Sequence, residues 1–456
     1  MTHAGVDPAE RLIDHALGLE WDGLPEATRR AATAFLHDTL CVGAAGARAA
    51  HADAVLNMAR SWGSGTQASV LGRPKVRLAP PAAAFVNAFQ IHGQEYDCVH
   101  EPAVLHPMAT VVAALLAEAQ RGSSVTGAQL LTAIVAGVDV AVTLGLAATG
   151  SLRFFRPATA GIFGCVAAIS NLRGMPREPA LDAFGHALAL ASGTMQAHVE
   201  GKPALPLQVA NAARCALIAI DLANAGIPGV EQPIEGPFGY LALFETHADT
   251  APALALLGHG HRIEEVSWKP FPTGRAAHGG IVAIQEMLAQ GVTADDISAL
   301  EYHAPPLIHR LVGRSAKQAM TPGYARLCLP WLAAVTLIRG TIAVDDFGPE
   351  TLADPQLHAL AARVSVIADS NPDPAAFVPA FLVVRRTDGR RIEIKVDALL
   401  GAPQRPLSEA EHRAKARGCL DFVGLGHCDE PLAAMIDRSA EQDNALDALS
   451  ATGIMG

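Results

Sequence analysis

The stretch Leu130–Gly150, LLTAIVAGVDVAVTLGLAATG, sets the strongest limit on what this chain can fold into. As a helix it would be apolar on every side, with Asp139 its one acid. Such a helix must be enclosed, either by lipid or by other helices. Its length suits a bilayer, yet it contains three glycines and has no Trp/Tyr belt or basic cluster beside it. The expectation is a buried core helix in a soluble, cytoplasmic protein, surrounded by enough other helices to cover it.

The remaining sequence can supply them. Half of the 456 residues are apolar and only 17% are charged, and the length suggests two or three domains. Aromatics are 5%, so the cores must be built from Ala, Leu, Val and Ile, which lets helices pack closely. Helical spacing is read at 8–19, 25–45, 79–91, 109–121, 127–148, 157–172, 179–194 and 204–225. In the second of these, Asp38 is expected as a buried acid hydrogen-bonded to a neighbouring helix end.

From about Ser267 the texture changes. ISALEYH (297–303), VSVIA (364–368), FLVVR (381–385) and RIEIKV (391–396) read as strands, and Thr387-Asp-Gly is a hairpin signal. Helices are expected between them, and again after Gly401. The fold class expected is mainly α: a large all-helical domain (1–266), a smaller inserted α+β domain (267–400), and C-terminal helices (401–456) returning to the first.

Composition also narrows function. The net charge is −11 and the 34 Lys and Arg residues form no basic stripe, which argues against a nucleic-acid partner. An anionic substrate would need cations focused in one cleft. Seven scattered cysteines without a C-x-x-C pair fit a reducing compartment and no zinc ribbon. The N-terminus has no h-region of a signal peptide. No G-x-G-x-x-G, G-K-[ST] or G-x-S-x-G segment occurs, so neither a dinucleotide nor a nucleoside triphosphate is implied, and without H-x-x-x-H or H-E-x-x-H a metal site is not expected.

Five segments concentrate titratable groups. In IHGQEYDCVHEPAVLHPMATVV (91–112), Glu95, Asp97, His100 and His106 sit on a loop that Pro102 and Pro107 keep from being helical. The loop feeds an apolar helix, a common place for catalytic groups; the plainer reading is a solvated surface loop. WKPFPTGRAAHGG (268–280) carries Lys269, Arg275 and His278. Cations ahead of a helix start oppose its dipole and make sense if an anion lies between them, although a charged linker would look the same. Arg153 and Arg156 precede a helix beginning at Pro157, where a guanidinium suits a carboxylate ligand or a structural acid. Lys317, Tyr324 and Arg326 share a turn-forming loop, and His198, Glu200 and Lys202 another.

The Asp97 loop, the Arg156–Gly164 turn, Ser192–Arg214, the Lys269…Arg275…His278 segment and the Thr321–Pro330 loop, in chain order, resemble the MmgE/PrpD family of 2-methylcitrate dehydratases, cis-aconitate decarboxylases and iminodisuccinate epimerases. The resemblance spans almost the whole chain. It implies a helical plus α+β architecture, a homodimer, an interdomain active site, no cofactor, and a small di- or tricarboxylate substrate. The family's D-D-T-H…H-P matches at Asp97, His100, His106 and Pro107, with Cys98 replacing the second acid. K-P-Y-P…R…H matches at Lys269, Pro270, Pro272, Arg275 and His278. Two positions depart: a family histidine falls at Arg156 (or Phe155), and a lysine and histidine fall at Leu205 and Gln208, with Lys202 near enough to substitute for the lysine. Arginine stays charged where imidazole would titrate.

The resulting expectation makes His106 the leading acid–base group, Asp97 the orienter of an imidazole in the pair His100/His106, and His278 a second acid–base group. Arg156, Lys202, Lys269, Arg275 and Arg326 would hold substrate carboxylates. The altered positions point to a smaller or differently charged acid than 2-methylcitrate. A lyase is the first expectation, an epimerase of an amino- or imino-dicarboxylate the second, and a binding protein with a degraded site the third.

Overall fold

The computed structural model describes residues 7–122, 124–373 and 375–456. It is mainly helical with a small mixed sheet. At its centre lies the helix Gly127–Ala147, in which every residue from Leu130 to Gly145 is buried. Thr126 begins it with a capping box: its hydroxyl accepts from the Gln129 amide (3.2 Å) and its own amide donates to the Gln129 side chain (2.9 Å). The helices Pro8–Leu17, Glu26–Ala45, Pro107–Ala119 and Gly161–Arg173 all pack on it. Protein, not solvent, thus covers the apolar surface that the sequence demanded be covered.

The approach to Gly161–Arg173 is close enough to need glycine on both sides. A Cβ on Gly137 would lie 2.8 Å from the Gly164 carbonyl oxygen and 2.8 Å from the Ala168 Cβ. One on Gly164 would lie 2.6 Å from the Gly137 oxygen. The charged residue of this helix, Asp139, accepts from His15 (2.9 Å), His261 (2.7 Å) and the Arg262 amide (2.7 Å). Burial would raise its pKa, but the bonds from His15 and His261 hold it below the ordinary value. One carboxylate thereby ties the first helix, and the segment that leads to Lys269, to the central helix.

The sheet has the order 364–368, 297–304, 380–386, 391–396, parallel in the first pair and antiparallel in the others. Tyr302 sits opposite Val366 on one side and Leu382 on the other. The expected hairpin is present: Arg385 pairs with Arg391, and Gly389 takes φ +83° at the turn. Past the sheet, Glu409–Phe422 and Asp429–Asp437 pack against Glu26–Ala45. Asp38 is buried there, but its partner is a side chain and not a helix end: Lys415 Nζ lies 2.7 Å from Asp38 Oδ1 and also donates to the Tyr96 carbonyl (3.0 Å). Periodicity locates a buried acid on a helix but cannot reveal a cation 377 positions away along the chain.

Gly137→Ala tests the central packing. Helix propensity alone would stabilise by about 1 kcal/mol, whereas the overlap with Gly164 costs about 1–3 kcal/mol. The expected net result is a lower denaturation midpoint, measured by urea unfolding, with an unchanged slope.

Candidate active site

The helix Pro80–Gly93 ends where the titratable loop begins, and Pro107 opens the next helix directly after His106. Between them the backbone is held in an uncommon shape: Glu95 and Val104 both take φ +50°. For a β-branched valine this is costly and requires restraint from outside. The restraint comes from backbone pairing of Val99 with Ser267 (3.0 and 2.7 Å) and of His100 with Leu105 (2.8 and 3.2 Å). Val99–Ser267 also lays the 268–280 segment across the loop.

That crossing delivers Lys269, which is fully buried, to the acids. Its Nζ donates to Glu95 Oε2 (3.0 Å) and to the Glu95 carbonyl (3.2 Å), and lies 3.8 Å from Asp97 Oδ1. Asp97 Oδ2 in turn lies 2.9 Å from His92 Nδ1 and 3.4 Å from His106 Nδ1. The two imidazoles meet edge to face with centroids 4.9 Å apart. His106 Nδ1 also donates to the Cys98 carbonyl (2.9 Å), which fixes the proton on Nδ1 and leaves Nε2 as an acceptor.

Electrostatics separates the two rings. For His106, burial lowers the pKa and Lys269 adds to this, so the net shift is downward despite Asp97. For His92, burial also lowers it, but Asp97 and then Glu95 outweigh burial and the shift is upward. Both acids overcome their own burial: Lys269 and the imidazoles pull Glu95 down to about 2, and hold Asp97 well below the ordinary value. A base and an acid sharing one carboxylate is the arrangement from which proton transfer at neutral pH is built.

Several expected site residues stand elsewhere. His100 turns away from Asp97: its Nε2 bonds Glu265 (3.1 Å) and its Nδ1 accepts from the Ala103 amide, so it braces the loop. The imidazole paired with His106 on Asp97 is His92, which sequence reading passed over. It occupies the last turn of an alanine-rich helix and looks like a core residue; its place five residues before Asp97 was the available signal. Arg156 is bound through Nε and Nη2 to Glu245 (2.9 Å each), the structural-acid alternative and not a free carboxylate clamp. Arg275 pairs with Glu101 through Nε (2.7 Å) and with carbonyls through Nη1, but its buried Nη2 has no partner. His278 accepts from Arg275 at Nδ1 (3.2 Å) and is fully buried; burial, Arg275 and Lys269 hold its pKa well below the usual value. It lines neither of the cavities described next, so it supports Arg275 and is not placed as a second acid–base group.

Two cavities meet at Glu95, Leu205 and Leu327. The inner one, about 60 Å³, is bordered by His106, Arg275, Arg156 and His198. His198 was not expected at the site; burial and then the Arg314 cation push its pKa down to about 4. The outer one, about 340 Å³, is bordered by His92, Lys202, Arg48 and Arg326. Lys202 is exposed at its rim, and Arg326 is buried on the Gln94 and Pro272 carbonyls, 3.7 Å from the Phe347 ring centroid. Ligand atoms of His92, Asp97 and His106 converge within 4.8 Å, as do those of His15, Asp139 and His261. At the first set the Lys269 ammonium already supplies a cation, and at the second both Asp139 oxygens already accept hydrogen bonds.

The fold and this centre define a helical protein with a buried acid–base site between two chain segments. Residues 10–253 match the MmgE/PrpD N-terminal domain and residues 271–437 the MmgE/PrpD C-terminal domain. The chain belongs to the MmgE/PrpD family. It is similar to the cis-aconitate decarboxylase of Mus musculus, 26% identical over 440 residues covering 92% of this chain and 88% of the relative. The Homo sapiens cis-aconitate decarboxylase is 26% identical over 422 residues, covering 88% and 85%. That of Aspergillus terreus is 25% identical over 287 residues, covering 60% and 58%.

A base that must be neutral predicts the pH profile. kcat/KM should be flat at neutral pH and fall on the acid side with an inflection below 6.5, as His106 takes up a proton. Asp97→Asn removes the charge that raises the His106 pKa, so the inflection should move to still lower pH while the rate falls about 10²–10⁴-fold.

Proposed function

We propose that this protein is a lyase of the MmgE/PrpD type, a dehydratase or decarboxylase that moves a proton next to a carboxylate of a small di- or tricarboxylic acid without a cofactor. The observation that carries this reading is the pair of imidazoles on one Asp97 carboxylate beside Lys269, with His106 donating from Nδ1 to the Cys98 carbonyl and shifted towards its neutral form, and His92 shifted towards its protonated form. His106 exchanges the proton at the reacting carbon. Asp97 keeps its tautomer and stabilises the imidazolium that forms. Negative charge building on the substrate carboxylate is met by the cations that border the outer cavity, Arg326, Lys202 and Arg48, while Lys269 stays engaged with Glu95 and Asp97. The decarboxylase names of the relatives favour a lyase over other chemistry.

A second reading is an epimerase of an amino- or imino-dicarboxylate such as iminodisuccinate. Leu205 and the Glu245-bound Arg156 favour it, because they leave no titratable group at those positions to assist a leaving group. A binding protein on a decayed site is disfavoured by the intact Asp97–His106–Lys269 contacts. The reading also includes a cytoplasmic homodimer, with the 267–400 unit inserted into the helical domain and the site in the cleft between them.

Incubation in D₂O with cis-aconitate, hydroxylated tricarboxylates and amino-dicarboxylates separates the three. A lyase should form an alkene or release CO₂, an epimerase should wash in deuterium without loss of substrate, and a binding protein should do neither. His106→Gln should lower turnover by at least about 10²-fold; retained turnover would remove His106 from the chemistry.

A further inference from the structure

The inner cavity beside His106 is walled by Val99, Val104, Leu152, Phe155, Leu205 and Phe377, which offer no hydrogen bond from their side chains. The charges that reach it are already satisfied. Glu95 is held by Lys269, and Arg156 is held by both oxygens of Glu245. His198, with its pKa near 4, brings no positive charge at neutral pH. Among the described residues bordering this chamber, the one buried cationic N–H without a partner is Arg275 Nη2. A carboxylate placed deep in the chamber would give up its hydration and meet apolar walls, a cost that one remaining donor cannot repay.

The outer cavity has the opposite character. Arg326 borders it with hydrogen bonds to carbonyl and amide oxygens but no carboxylate partner, and Lys202 and Arg48 stand at its side, against Glu95 and Asp345. Leu205 lies on the wall common to both cavities. The molecule thus offers an apolar recess next to the base, and cations on the far side of Leu205.

We propose that the substrate carries an apolar arm, a short alkyl or alkenyl group, that fills the inner chamber against Leu205, while its carboxylates are taken by the cations of the outer cavity. This makes the substrate an alkyl-substituted dicarboxylic acid in preference to a tricarboxylic acid, with Leu205 the residue that sets the choice. The proposal rests on the reading of His106 as the proton-transfer base, since that reading fixes which carbon must sit at the chamber.

The test uses a matched pair of unreactive ligands, ethylsuccinate and tricarballylate, which differ by exchange of one carboxylate for a methyl group. By titration calorimetry on the full chain, ethylsuccinate should bind at least about ten-fold more tightly, the discrimination expected when a charge is denied a polar partner. Leu205→Lys should reduce or invert that ratio. Leu205→Ala, which keeps the site apolar, should shift preference towards butylsuccinate. Tighter binding of tricarballylate, binding of neither ligand to the folded wild type, or an unchanged alkyl-length preference in Leu205→Ala would each overturn the proposal. If turnover depends on His106 but the alkyl preference is missing, the inference alone fails. If the preference is present and turnover survives His106→Gln, it is the proton-transfer reading that fails.

Discussion

The site depends on one buried carboxylate. Asp97 sits under two imidazoles and 3.8 Å from an ammonium, with almost no exposure to water. In that setting a charge has no cheap alternative to being ionised among its partners, and the partners have no cheap alternative to gathering around it. Asp97 therefore does more than orient one histidine. Because it lies closer to His92 than to His106, and because Glu95 adds its charge on the His92 side while Lys269 is felt by both rings, the two imidazoles are driven apart in basicity. A symmetric pair would have equal basicity; here His92 is shifted up and His106 down before any substrate enters.

The scaffold's task is to keep that cluster dry and in place. The central helix does so by being covered on all sides, with Gly137 against Gly164 allowing the neighbouring backbone to come close. A second buried carboxylate, Asp139, repeats the pattern of the first at a purely structural point: two histidines and an amide converge on it. From Arg262 the chain runs through Glu265, which holds His100, to Ser267, which pairs with Val99. The titratable loop is thus fastened to the core through a continuous series of polar contacts, and its two left-handed residues are maintained by them.

Much of this was legible in the sequence because it is local. An apolar run such as 130–150 has few ways to be satisfied, and period-two strands around Thr387-Asp-Gly place a hairpin with little ambiguity. The two unusual segments were expected to close over a substrate anion; Lys269 instead donates to Glu95 and lies beside Asp97, so its partner is the protein's own acid. What stayed hidden is pairing over long distances. Nothing near Arg156 announces Glu245, and nothing near His100 announces Glu265, so local sequence points both side chains at the substrate or the base although they hold the protein together. His92 was hidden for the converse reason: a functional histidine on an alanine-rich helix has the same local pattern as a buried structural one. His278 shows a third limit, since its burial behind Arg275 depends on the tertiary fold.

The division of protonation between the two rings is the central claim, and imidazole resonances from labelled histidine, followed by NMR across a pH titration, read it directly. His92 should titrate above 6.5 and His106 below it, with His106 carrying its proton on Nδ1 at neutral pH. Coincident titration of the two rings, or the reverse order, would contradict the account.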